Sequence, residues 1–139
     1  MPVFVIHEHH ATRLHFDLRL EMDNVLKSWA VPKGPSMNPA EKRLAIMVDD
    51  HDLDYADFEG TIPEGMYGAG KVCIWDKGRY ELRSGSIKTG RLEIIFEGKK
   101  LKGAFALVRM SGKEKEWLLI KKKDADTDSA FTLKTICQR

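Results

Sequence analysis

Between Leu14 and Glu21 the chain alternates strictly. Leu14, Phe16, Leu18 and Leu20 share one parity, and His15, Asp17, Arg19 and Glu21 share the other. A period of two with one apolar face is the signature of a half-buried β-strand. Short runs of the same kind recur along the chain and predict strands at Val3–Ile6, Leu14–Met22, Val25–Val31, Arg43–Asp50, Lys71–Trp75, Arg79–Leu82, Arg91–Phe96, Ala104–Met110 and Trp117–Lys121. Gly-containing turns punctuate them at Lys33-Gly34-Pro35, Asp76-Lys77-Gly78, Glu97-Gly98 and Ser111-Gly112. No amphipathic stretch is long enough for a three-turn helix, and only short helices are expected, near Pro39–Lys42, Leu53–Phe58 and Asp126–Phe131. So many short strands at close spacing predict a mainly β fold, a barrel or a sandwich.

Composition adds little to this and excludes more. At 139 residues, 42% hydrophobic and 32% charged, the chain is expected to form one globular domain over residues 1–139, without repeats or a linker. Cys73 and Cys137 stand far apart and form no CxxC pair, so neither a disulfide framework nor a cysteine-rich zinc site is expected, and a reducing compartment fits. Met1 to Glu8 lacks the features of a signal peptide, and no apolar run approaches a membrane span, which predicts a soluble cytoplasmic protein. The net charge of +2 hides a basic segment from Lys88 to Lys123, with eleven Lys/Arg against four Glu. Such a segment suits phosphate neutralisation and equally suits a solvated lysine face.

The chemistry gathers early, because all five histidines, His7, His9, His10, His15 and His51, fall within the first 51 residues. On the polar face of the 14–21 strand, same-face neighbours lie about 6 to 7 Å apart, so His15 and Asp17 can reach one metal ion with Arg19 a step further on. The same face is also what the wet side of any half-exposed strand shows. In the 43–50 strand Leu44, Ile46 and Val48 are expected to form an apolar face, with Arg43, Asp49 and His51 on the opposite parity. Tyr55 is a phenolic donor nearby, and Lys33 a further candidate for a phosphate contact. Two imidazoles and a carboxylate without a thiolate suit manganese, zinc or iron better than calcium.

Other conspicuous residues receive structural readings. His7 and His10 are expected in a solvent-exposed loop, outside the metal site. Trp29, Trp75 and Trp117 lie in strand-like runs and are assigned to core packing rather than base stacking. The stretch Gly60 to Gly70 lacks the lysine and the strand-to-helix context of a phosphate loop, and is expected to be a long turn.

Three motifs are far more specific: His9-His10-Ala11-Thr12-Arg13-Leu14-His15-Phe16-Asp17-Leu18-Arg19-Leu20-Glu21, Leu26-Lys27-Ser28-Trp29-Ala30-Val31-Pro32-Lys33-Gly34-Pro35-Ser36, and Asp50-His51-Asp52-Leu53-Asp54-Tyr55-Ala56-Asp57-Phe58-Glu59-Gly60-Thr61-Ile62-Pro63-Glu64-Gly65. With Trp117-Leu118-Leu119-Ile120-Lys121 they carry a match that extends over almost the whole chain, which resembles the 3′-phosphoesterase domain of LigD-type DNA ligases. The resemblance implies a compact antiparallel β-barrel with a crescent-shaped groove. It implies Mn2+, with Zn2+ or Co2+ as substitutes, held by His9, His15 and Asp17. It further implies a scissile phosphate held by Arg19 and His51, Tyr55 beside it, and Lys33 and Arg43 as weaker phosphate contacts. The implied reactions remove a 3′-terminal ribonucleotide and a 3′ phosphate from a DNA primer-template or DNA end, leaving a 3′ hydroxyl for a separate ligase or polymerase. Two departures stand out: His7 where the family often has glutamine, and Asp49 where it often has glutamate. The chain also begins almost at the first strand, so ribonuclease activity is expected to be less secure than phosphatase activity.

Two rivals follow from the residues alone. One is a non-catalytic β-barrel module that binds single strands or DNA ends through the basic segment. The other is a metal phosphoesterase acting on small molecules, which has no use for that segment.

Overall fold

The computed structural model describes residues 1–137. Nine strands form one antiparallel sheet: β1 Val3–His10, β2 Leu14–Met22, β3 Val25–Val31, β4 Arg43–His51, β5 Gly60–Ile62, β6 Gly70–Ser86, β7 Arg91–Glu97, β8 Lys102–Arg109 and β9 Glu116–Lys121. The hydrogen-bonded order is β1-β2-β3-β4-β9-β8-β7-β6, and β6 pairs back onto β1 to close an eight-stranded barrel. The short β5 attaches to the start of β6, outside that closed ring. The expected barrel is present.

The alternation read in β2 decides which side faces the interior. Phe16, Leu18 and Leu20 are buried in the barrel core with Phe4, Ile6, Trp29 and Phe96. Trp29 and Trp117 meet edge to face with ring centroids 5.7 Å apart, and Trp75 is buried in the same core against Phe16, so all three tryptophans are core residues. Closure of the ring leaves the polar parity of β1, β2 and β3 on the outer wall. A second, smaller apolar cluster of Val5, Leu26 and Ala56, with Tyr55 packed on it, lies on that outer side.

Several expectations are corrected. The first strand extends to His10, so His7 and His10 belong to β1 rather than to an exposed loop, and His7 is fully buried. The turn expected at Asp76-Lys77-Gly78 is absent; β6 runs through it without interruption. Gly78 is required there by packing, since a Cβ would stand 2.3 Å from the Glu97 carbonyl oxygen. Asp76 instead caps the turn after β7, accepting the N–H groups of Lys99, Lys100 and Leu101. Of the three short helices, only a 3-10 turn at Leu53–Asp57 forms, and the segments at 39–42 and 126–131 are irregular. The 60–70 stretch contains β5 as well as a turn.

The faces of β4 are the reverse of those expected. Ala45 is buried and Met47 packs on the core, whereas Leu44 is 40% exposed and Val48 lies on the outside. The pairing of β3 with β4 shifts register between Leu26 and Ser28, with Ser28 opposite Val48 and Leu26 opposite His51. This bulge inserts one residue into β4, so His51 joins Val48 on the outer wall despite the opposite parity.

The cysteines also depart from expectation. Cys73 and Cys137 form a disulfide across a sequence separation of 64 residues. The inference from unpaired thiols to a reducing compartment therefore lapses. The tail that carries Cys137 is held further by Glu8, which is buried and accepts the N–H groups of Ile136 and Cys137, and by Trp75, which donates Nε1–H to the Lys134 carbonyl.

Candidate active site

The outer wall of β1 to β4 carries a cavity of about 320 Å³, lined by His9, His15, Asp17, Arg19, Asp49, His51 and Tyr55, with Ile62, Tyr67 and Gly68 over its rim. Register explains the assembly: His9 is paired with His15, His7 with Asp17, and Arg19 with Ser28, so three strands bring their polar parity together. Lys33 and Arg43 do not line the cavity. Lys33 is exposed on the turn after β3, and Arg43 is paired with Glu41 at 3.3 Å. None of the Lys88–Lys123 residues lines it either, because β7, β8 and β9 form the other half of the barrel.

Donor atoms of His9, His15 and Asp17 all lie within 4.8 Å of one another. The outer ring nitrogen of each imidazole is committed to a backbone carbonyl: His9 Nε2–H donates to Gly68 at 2.7 Å, and His15 Nδ1–H donates to Arg13 at 3.2 Å. Each inner nitrogen then turns to the same carboxylate, His9 Nδ1 at 3.3 Å and His15 Nε2 at 3.1 Å. A proton on an inner nitrogen donates to this carboxylate, and a ring without it presents a lone pair there, so a cation can take the proton's place. Metal-bound histidines commonly hold their second N–H in this way. Two imidazoles and a carboxylate thus fit a divalent transition-metal ion. Burial alone would raise the Asp17 carboxyl, but hydrogen bonds from His15 and His9 and the Arg19 charge hold it well below the usual carboxylate range. The hydrogen bond to Asp17 raises His15.

Arg19 is buried and held on every side. Its Nε–H donates to His7 Nδ1 at 3.0 Å, Nη1 to Ser28 Oγ at 2.9 Å and to His51 Nδ1 at 3.1 Å, and Nη2 to Asp17 at 3.2 Å. A guanidinium has five N–H groups, so one on Nη2 remains without an acceptor among the described residues. The guanidinium also lies 4.9 Å from the centroid of the Tyr55 ring, which stacks on Phe58 and leans on His51.

The two histidines bound to Arg19 are both shifted downward, by burial first and by the Arg19 charge next. His7 is lowered to about 4, and His51 moves the same way. Neutral His7 accepts from Arg19 and donates Nε2–H to the Phe58 carbonyl at 3.1 Å. His51 Nδ1 stands between Arg19 Nη1 at 3.1 Å and the Asp49 carbonyl oxygen at 3.2 Å, accepting from the first in one neutral tautomer and donating to the second in the other.

The structure therefore brings His9, His15, Asp17, Arg19, His51 and Tyr55 into one site. Sequence reasoning passed over His7, Ser28 and the Gly68 carbonyl. Ser28 could have been found, since its parity matches that of Ala30 on the wall facing Asp17; the Gly68 carbonyl carries no side-chain signal.

Comparison with known proteins gives the same answer. The family model described as the DNA Ligase D 3′-phosphoesterase domain matches residues 7–109. The chain is 50% identical over 132 residues to the multifunctional non-homologous end joining protein LigD of Pseudomonas aeruginosa, covering 91% of this chain and 16% of that protein. It is 46% identical over 130 residues to LigD of Mycobacterium bovis, covering 92% and 17%, and 45% identical to that of Mycolicibacterium smegmatis, covering 87% and 17%. The chain thus spans about a sixth of the length of these relatives. A cavity that sets two imidazoles and a carboxylate beside a clamped arginine, on a barrel whose sequence matches over most of its length, places this chain in the DNA Ligase D 3′-phosphoesterase domain family.

Proposed function

We propose that this chain is a Mn2+-dependent phosphoesterase that heals DNA 3′ ends, removing a terminal ribonucleotide and a 3′ phosphate to leave a 3′ hydroxyl. The observation that carries the proposal is the pair of imidazoles whose inner ring nitrogens face one carboxylate next to Arg19. His9, His15 and Asp17 would hold the ion, with Zn2+ or Co2+ as possible substitutes. A bound ion supplies Lewis-acid polarisation of a phosphate oxygen and lowers the pKa of a coordinated water.

The protein's own groups do the rest. Arg19 offers its remaining Nη2–H and its charge to phosphate oxygens, and the contacts from His7, Ser28 and Asp17 fix it in advance, so no reorganisation is needed as charge builds. His51 serves as a neutral hydrogen-bond partner of the phosphate; its lowered pKa argues against delivery of a proton from an imidazolium at neutral pH. Tyr55 buttresses both, with its ring against Arg19 and His51. The relatives are named for non-homologous end joining, which supports DNA ends as the substrate; a ligase or polymerase would use the product, and the cytoplasm would be the place of work. Among the described residues no helix is long and apolar enough to cross a membrane.

The test is a primer-template with a 3′-terminal ribonucleotide or a 3′ phosphate, incubated with Mn2+ or with chelator. Conversion to a 3′ hydroxyl with metal only, with His15→Ala and Arg19→Ala each reduced at least about a hundredfold, is the expected outcome. Duplex binding without turnover under every metal tried would show a non-catalytic end-binding module instead.

A further inference from the structure

The flap over the cavity ends in an aromatic side chain that the fold does not use. β5 pairs with the start of β6, and two successive turns, Met66 N–H to Pro63 O at 3.3 Å and Ala69 N–H to Met66 O at 3.1 Å, fold the intervening chain over the site. The Gly68 carbonyl then accepts His9 Nε2–H at 2.7 Å, which ties the tip of the flap to the metal-ligand cluster. Tyr67, the preceding residue, lines the cavity and yet is 97% exposed, with Met66 beside it 61% exposed. An aromatic ring left in water contributes nothing to the core. Held at the mouth of a polar cavity by a hydrogen-bonded loop, it is available to a ligand.

The chemistry inside the cavity indicates what lies at its mouth. Arg19, His51 and the His9, His15 and Asp17 cluster suit a phosphate. The sugar and base attached to that phosphate must leave through the opening, where flat surfaces meet a flat ring. Every nucleobase has a π-face, so an aromatic platform recognises a base without reading its identity.

We propose that Tyr67 forms a nucleobase subsite, stacking on the base at the DNA 3′ end and setting the terminal phosphoester over Arg19. This rests on the reading of the cavity as a 3′-phosphoester site. Such a subsite holds an end in register without reading its sequence, and it distinguishes a nucleoside end from an abasic one.

The experiment uses the full chain, Tyr67→Phe and Tyr67→Ala, on 3′-phosphate primer-templates whose terminal nucleoside is either 2-aminopurine or abasic. Stacking is expected to quench 2-aminopurine fluorescence in wild type and Tyr67→Phe and not in Tyr67→Ala. KM for the base-bearing end is expected to rise roughly fivefold to a hundredfold in Tyr67→Ala, with kcat little changed. The abasic end should be equally poor for all three proteins. Equal quenching by wild type and Tyr67→Ala, or an equal loss on both ends, would overturn the proposal. Wild type that quenches 2-aminopurine but never releases phosphate would leave the subsite standing and remove the phosphoesterase reading.

Discussion

His7 accepts a hydrogen bond from Arg19 and donates one to Phe58, and it is fully buried, so it is neutral in the folded chain. Its pKa of about 4 lies below the ordinary 6.5. Between those values the unfolded chain binds a proton that the folded chain refuses. Stability from this residue is therefore complete above about pH 6.5 and declines as pH falls toward 4, by up to about 3 kcal/mol. Glutamine can accept and donate in the same two directions without titrating. Urea unfolding of His7→Gln should accordingly show a shallower loss of stability across that window than wild type; parallel curves would mean that His7 is not held neutral by its two partners. His15, Asp17 and Arg19 were legible as site residues because strand alternation puts them on one wall whatever the rest of the fold does. His7 was not, because its burial depends on Tyr55 and Phe58 packing from another part of the chain.

At the scale of elements, β2 and β3 have the bounds their patterns predict. In each, one face is uniformly apolar or the flanking turn is unambiguous. β4 was misread because its outer wall is also apolar: Leu44, Ile46 and Val48 face outward, and the small Ala45 faces the core. Hydrophobicity alone cannot choose between two apolar faces, and the bulge that re-aims His51 arises from pairing with β3. The flap depends on a close approach at its base. Gly70 has φ +134°, and a Cβ there would stand 2.0 Å from the His10 carbonyl oxygen. Gly70→Ala must push β1 and β6 apart at the point where β5 ends and β6 begins, and it is expected to cost at least about 2 kcal/mol. Thermal unfolding measures this, and a variant as stable as wild type would mean that the strands do not pass so closely.

At the scale of the molecule, the disulfide joins the first half of β6 to the C-terminal tail, while Glu8 clamps the same tail from inside the barrel. Closing a loop of this length stabilises the fold by about 4 kcal/mol in the chain-entropy account. Urea unfolding with and without a dithiol should differ by that order, and the Cys73→Ser/Cys137→Ser double variant should match the reduced protein and ignore the dithiol. A protein indifferent to reduction would show that Glu8 and Trp75 suffice to hold the tail. The basic segment illustrates the limit of composition at this scale. It looked like a phosphate-binding surface, but its strands lie in the half of the barrel away from the cavity, and Lys121 is buried on Asp124 while Lys122 pairs with Glu93. What the sequence by itself determined is the β fold and the shared face of His15, Asp17 and Arg19, because alternation is local and fixes which side chains share a wall. Only tertiary structure decided that this wall is the outside of a closed barrel, that a bulge brings His51 to it, that His7 and Ser28 brace Arg19, and that Cys73 meets Cys137. Each of these depends on strand register and closure between segments distant in sequence, which no local pattern encodes.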